Sequence, residues 1–558
     1  MLPTLLLLTA MPTTPPPQAF VDLRETLEQF RADENALQRV FALHLSDNRR
    51  KRLDAFYGDR LRSLKALPFA SFGFDAQVDF VLLRNYLERE THQLDLEAKE
   101  QARYATLVPF AQSIVDLEES RRRFEEPDPE KAAAVLSTLV KTLKELKPQL
   151  GEKLKAKKFE GNQAFLAVRS LRDTLRSWFS YFNGYNPMFT WWCSDPYKAA
   201  DAELKGYADA VREKIVGVKP DDEDAIVGNP IGREALLAEM KYELIPNTPE
   251  ELLKIADREY AWCEKEAKRA AHDMGFGSDW KKALEKVKND HVAPGEQPEF
   301  IRFLANEAVE FLEQHDLVTI PDLAKEDWRM EMMSPERQRV NPFFLGGESI
   351  IVSFPTDAMT HEEKLMSLRA NNKHFSRATV FHELIPGHHL QGFMNARYKP
   401  YRGLFRTPFW TEGWALYWEM LLWDLDFPKT PENRMGMLFW RMHRCARIIF
   451  SLKFHLGEMT PEQCIDFLVE KVGHERNSAE GEVRRSFNGS YGPLYQLAYM
   501  IGGLQFRALH KELVESGKIT NKQFHDAILR ENNMPVEMVR AILTKQKLTP
   551  NFASSWKF

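Results

Sequence analysis

Pro386 and Gly387 interrupt a stretch whose pattern is otherwise helical, residues 377–391, Arg-Ala-Thr-Val-Phe-His-Glu-Leu-Ile-Pro-Gly-His-His-Leu-Gln. Proline has no backbone donor and glycine relaxes the backbone, so no single helix can run through this stretch undisturbed. The break separates two ionisable pairs, His382 and Glu383 before it and His388 and His389 after it. In an unbroken helix, residues seven apart share a face but stand about 10.5 Å apart along the axis. Whatever these side chains do together therefore depends on how the chain turns at Pro-Gly.

A histidine–glutamate pair followed closely by another histidine is a pattern that can hold zinc. One imidazole ligates, the carboxylate acts on a water molecule, and the second imidazole ligates again. The usual spacing is H-E-x-x-H. Here the fourth position after His382 is Pro386, with His388 six and His389 seven residues on. A bulge at the break would swing His388 into the second ligand's place. His389 is the alternative, two turns beyond His382. Zinc also needs a third protein ligand and an open position. Residues 409–419, Phe-Trp-Thr-Glu-Gly-Trp-Ala-Leu-Tyr-Trp-Glu, offer Glu412 on a second helix. Gly413 beside it permits close helix packing, and Glu419, two turns on, can hold a ligand histidine from behind. The plain alternatives are a core network for the histidines and a helix N-terminal acid for Glu412.

These strings resemble known proteins. The 409–419 stretch is similar to the Asn-Glu-Gly-Phe-Ala segment of zinc aminopeptidases, where the glutamate is the third ligand of a gluzincin site. His-Glu-x-x-Pro-Gly-His-His-Leu-Gln followed by Glu-Gly-Trp-Ala-Leu-Tyr resembles the bacterial "domain of unknown function 885" (DUF885) family, placed among zinc peptidases. The resemblance runs from about residue 20 to the C-terminus. Weaker support comes from Asn247-Thr-Pro-Glu-Glu-Leu, Glu313-Gln-His-Asp-Leu-Val-Thr-Ile-Pro, Tyr499-Met-Ile-Gly and Trp556-Lys-Phe. It implies hydrolase chemistry without naming a substrate. Many members carry Pro-Gly-Gln-Ala before the Tyr-x-Ile-Gly unit; this chain has Pro493-Leu-Tyr-Gln, so a role carried over to Tyr499 stays open.

The remaining sequence sets bounds. At 558 residues the chain can bury a large core in two or three lobes. A net charge of −5 gives no reason to expect nucleic acid or an anionic membrane as partner. Cys193, Cys263, Cys445 and Cys464 are scattered without a C-x-x-C, so they read as buried small hydrophobes. Residues 1–19, with a leucine run followed by small residues and prolines, read as a signal peptide or a disordered tail; no basic residue precedes the run. Export to the periplasm or exterior is expected, with a cytoplasmic location as the alternative. No other stretch is long enough to span a bilayer, so no integral membrane segment is expected.

Helical periodicity runs through Phe20, Leu23, Leu27 and Phe30 and again over 76–100. Asp128-Pro129 reads as a helix start, and Thr248/Glu251, Thr360/Glu363 and Thr460/Gln463 read as capping boxes. Trp178, Phe179, Tyr181, Phe182, Tyr185, Trp191 and Trp192 read as core packing, with the wall of a channel as the alternative. Glu348–Phe354 reads as a strand, with Arg329–Met333 pairing to it. The edge of that sheet could take an extended substrate by strand addition. His443 and His455 read as structural or surface groups.

The expected fold is mainly α, a multi-helix, two-lobed, gluzincin-like arrangement with a small β element before the metal-binding helix. Its regions are 1–19, an N-terminal helical region 20–325 and a C-terminal metal-binding region 326–558. The expected function is that of a Zn2+-dependent peptidase acting on peptide or amide bonds, with oligomeric state open. His382, His388 or His389, and Glu412 would hold the metal, with Glu383 as general base. Tyr499, or else Tyr491, would donate to the oxyanion. The alternative is a metal-bearing, non-catalytic peptide-binding protein.

Overall fold

Helix starts are written locally and form as written. Thr248, Thr360 and Thr460 each cap the N–H three residues on, while Glu251, Glu363 and Gln463 reach back to the threonine N–H. A fourth box, Thr520 with Gln523, opens the helix Asn521–Glu531. Asp128 caps Pro129–Leu146. The structure, a computed structural model, describes residues 22–338, 341, 343–488 and 491–558. The leader-like residues 1–19 and Phe20 lie outside that set.

The described chain is mainly helical. Its one sheet among the described residues is a parallel pair, β1 (Arg329–Met332) and β2 (Ser349–Val352), with Arg329 opposite Ser349 and Met332 opposite Val352. Leu345 exchanges backbone hydrogen bonds with Ile351 of β2, and this folds the turn 343–348 back across the sheet. None of the described helices is long and apolar enough to cross a membrane. All four cysteines are buried and free.

Apolar side chains gather into two large cores. One is drawn from residues 104–211 alone, chiefly the helices Pro129–Leu146, Lys158–Phe182 and Pro187–Val211. The other joins Leu23–Leu94 to residues from Leu236 through Phe552. A buried ion-pair set ties the two ends of this second core. Arg402 Nε lies 2.7 Å from Asp79 Oδ1 on the helix Phe74–Tyr104, and its Nη1 meets Glu531. The aromatic cluster at 178–192 divides rather than forming one core. Trp178, Phe179 and Phe182 are buried, while Tyr181, Tyr185, Trp191 and Trp192 are exposed.

Helices that frame the central cavity include Lys373–Glu383, His388–Asn395, Pro408–Asp424, Pro431–His455 and Tyr495–His510. Pro408–Asp424 and Tyr495–His510 cross at Gly413 and Gly502. A Cβ on Gly502 would strike the carbonyl oxygen of Phe409, and one on Gly413 would meet the backbone of Gly502 at 2.6 Å. Only glycine allows this approach, which fixes Glu412 beside Tyr495.

Candidate metal centre

The Pro-Gly break decides which histidine turns inward. The helix Lys373–Glu383 stops at Leu384, whose φ of −107° and ψ of −106° leave the helical region. Gly387 then packs so tightly that a Cβ there would collide with the carbonyl of His382. Trp414 Nε1 donates to the Pro386 carbonyl at 2.8 Å and holds the turn against the next helix. The new helix starts at His388, whose ring stands perpendicular to that of His382, centroids 4.9 Å apart. His382, Glu383 and His388 each bring a ligand atom to within 4.8 Å of the others.

His389 faces the other way. Its Nε2 lies 2.9 Å from the Ala324 carbonyl and its Nδ1 3.2 Å from that of Gly347. The two second-ligand candidates are thus separated: His388 joins the cluster, and His389 sits among backbone carbonyls.

Glu412 closes the cluster. Its Oε2 lies 3.2 Å from His388 Nε2 and 3.6 Å from His382 Nε2. Its Oε1 accepts from the Tyr495 hydroxyl. Behind the imidazoles, His382 Nδ1 lies 2.7 Å from Glu419 Oε1 and His388 Nδ1 lies 3.0 Å from Gln391 Oε1. Gln391 Nε2 donates to the Thr411 carbonyl, so the amide oxygen is the atom turned to His388. Carboxylate and amide oxygens only accept, so each Nδ1 carries its proton. Each Nε2 then turns a lone pair toward Glu412 Oε2, a buried oxygen without a hydrogen-bond partner. Acceptors facing acceptors at this distance require a proton or a cation between them. Tetrahedral arms of about 2.0–2.1 Å set ligand atoms about 3.3 Å apart, so the donor set suits a zinc-like cation.

Electrostatics follow from this crowding. Burial opposes a charge on His388, but Glu412 and Glu383 override it and raise its pKa to about 9. Burial likewise works against the Glu412 carboxylate, yet His388 and His382 hold its pKa well below the ordinary value. Burial raises the Glu383 carboxyl. Glu383 Oε2 stands 3.9 Å from His388 Nε2, under the turn at Gly346, where a Cβ would strike Glu383 itself.

The cluster lines a cavity of about 470 Å³. The turn Phe343–Glu348 supplies part of its wall, whereas no residue of β1 or β2 lines it. The sheet therefore positions the turn and does not present its edge to the cavity. Tyr499 lines the cavity too, its ring stacked on His382 at 6.2 Å. Tyr491 stacks on Tyr495 at 3.8 Å. Tyr495, in contact with Glu412, was not distinguished from its neighbours by the sequence. Its spacing of four from Tyr499 puts both on one helix face, and the glycine crossing decides which of them meets the carboxylate.

The family model for a bacterial protein of unknown function, DUF885, matches residues 42–543. The chain belongs to this family. The solved structures similar to this DUF885 chain include a candidate lipoprotein of unknown function from Shewanella oneidensis, at a TM-score of 0.70 and 18% identity, covering 94% of this chain and 100% of that one. A second is a candidate lipoprotein from Colwellia psychrerythraea, at a TM-score of 0.52 and 17% identity, covering 75% of this chain and 74% of that one. At these identities the likeness is one of fold. No curated protein matches the sequence.

Proposed function

We propose that this DUF885 protein is a zinc-dependent hydrolase of peptide or amide bonds, with a gluzincin-like site held by His382, His388 and Glu412. The observation that carries the reading is the convergence of His388 Nε2 and His382 Nε2 on the same buried Glu412 oxygen, at 3.2 and 3.6 Å, in a cavity that also holds Glu383. A divalent cation bound there supplies positive charge that acidifies water and polarises a carbonyl. The protein's own residues do the rest. Glu419 and Gln391 fix the two imidazoles in the ligating tautomer. Glu383, its pKa raised by burial, accepts a proton from the attacking water at a carboxylate oxygen and returns it to the leaving amine. Tyr499 keeps its hydroxyl proton, because burial pushes its pKa well up, and it is assigned to meet the developing oxyanion.

The test joins metal content to turnover. Purified protein should contain zinc and cleave a mixed peptide library, and a chelator should stop cleavage until zinc is restored. Glu383→Gln should lower turnover by roughly a thousandfold or more, within the range attributed to general-base catalysis and above, while zinc stays bound. Undiminished cleavage by that variant removes Glu383 from the mechanism. Zinc binding with no cleavage of any peptide favours the peptide-binding alternative. Both structural neighbours are described as candidate lipoproteins, and residues 1–19 carry a leader-like apolar run. Export is the location they favour; recovery of the protein only from the cytosolic fraction of cells would overturn it.

A further inference from the structure

The helix Pro431–His455 contributes two arginines to the cavity wall. Arg444 is 7% exposed and Arg447 is 1% exposed, and both line the cavity. Their guanidiniums lie over the Tyr499 ring, 4.7 and 4.2 Å from its centroid, and that ring stacks on His382. Arg444 also lies 5.1 Å over Trp440. Held over aromatic rings, such groups lose little freedom when they bind.

Their charge is incompletely met. Arg447 Nε reaches Glu482 at 2.6 Å, but Glu482 is shared with Arg485, and Gln496 donates to it as well. The nearest carboxylate to Arg444 is Glu419, at 3.6 Å, and Glu419 already accepts from His382. Arg444 Nε and Arg447 Nη1 are buried donors with no hydrogen-bond partner. Buried guanidinium donors call for an acceptor, and a carboxylate fits them best.

Resting on the hydrolase reading above, we propose that Arg444 and Arg447 seat a carboxylate of the substrate, so that the bond delivered to His382, His388 and Glu412 lies close to a peptide's C-terminal carboxylate or to an acidic side chain. The cavity then has two poles, one for a cation that engages the scissile carbonyl and one for the anion that sets where along the peptide the cut falls. Neutral, amidated peptides would enter the same cavity and lack a partner for these donors.

Three probes separate the possibilities: an N-acetylated alanine tripeptide as free acid, the same peptide as its amide, and that amide with one alanine replaced by aspartate. Binding is measured by calorimetry on the full-length, zinc-supplemented Glu383→Gln protein. Hydrogen bonds to charged groups predict that the free acid, the aspartyl amide or both bind roughly tenfold or more tightly than the neutral amide. Tight binding of the acid alone assigns the seat to a C-terminus; tight binding of the aspartyl amide assigns it to a side chain. Arg444→Gln should erase the preference. Arg444 is chosen because Arg447 shares in a buried ion pair, and the comparison of probes stands even without a folded variant. Equal binding of all three probes, or a preference unchanged in Arg444→Gln, overturns the proposal. Failure of the hydrolase reading looks different: the wild-type protein cleaves none of the probes while the preference persists.

Discussion

The two walls of the cavity are equally buried and oppositely unbalanced. On one, Glu383 and Glu412 line the cavity beside two imidazoles whose Nδ1 protons are already committed, His382's to Glu419 behind it. On the other, Arg444 and Arg447 keep buried donors with no hydrogen-bond partner. Burial of unmatched charge is costly, and folded proteins avoid it unless something compensates. The acidic wall calls for a proton or a cation, and the basic wall, in the proposal above, for a substrate carboxylate. Glu419 belongs to both, bonded to His382 and 3.6 Å from Arg444. The lesson is that neither wall is explained by the stability of the fold alone, and each points to what the other lacks.

The largest expected effect lies on the basic wall. Glu482 is fully buried between Arg447 and Arg485. Glu482→Gln should cost roughly 3–5 kcal/mol of unfolding free energy at pH 7, as removal of one partner from a buried ion pair does. Burial works against its charge, but the arginines hold its pKa at about 2, below the ordinary 4.5. The sign follows: its contribution is complete above pH 4.5 and is lost as pH falls toward 2. Urea unfolding of both proteins across that window should show their stabilities converging in acid. Equal stability at pH 7 would mean that Glu482 does not balance this wall.

The acidic wall should answer to single histidines. His388→Ala should weaken zinc binding by at least roughly a hundredfold, since even residues supporting the ligands cost 10–100-fold. His389→Ala should leave affinity near that of the unaltered protein, because its ring nitrogens meet the Ala324 and Gly347 carbonyls. Competition with a zinc-binding dye checks both. The opposite order would hand the second ligand position to His389.

Much of this architecture could be read from the residues. Caps such as Thr248/Glu251 and Asp128-Pro129 depend on neighbours three positions away and formed as written. The strand at 349–352 and its partner at 329–332 were legible for similar local reasons. The choice between His388 and His389 was not, because it rests on backbone angles at Leu384 and on Trp414 gripping the Pro386 carbonyl from another helix. Tyr495 was hidden among three evenly spaced tyrosines until the Gly413–Gly502 crossing set the helices' rotation. Nothing in the sequence sets Arg444 and Arg447 apart from other basic residues, since sequence does not reveal which donors are left without acceptors. The exposed Tyr185 and Trp191 misled in the opposite direction, because aromatic composition says nothing about which rings meet solvent.

The interrupted helix carries a practical consequence for anyone surveying genomes. A search that counts two residues between His-Glu and the next histidine passes over this chain, although Pro386-Gly387 bring the second imidazole perpendicular to the first at 4.9 Å. Signatures of this kind are better defined by how far apart the rings stand in space than by how many letters separate them.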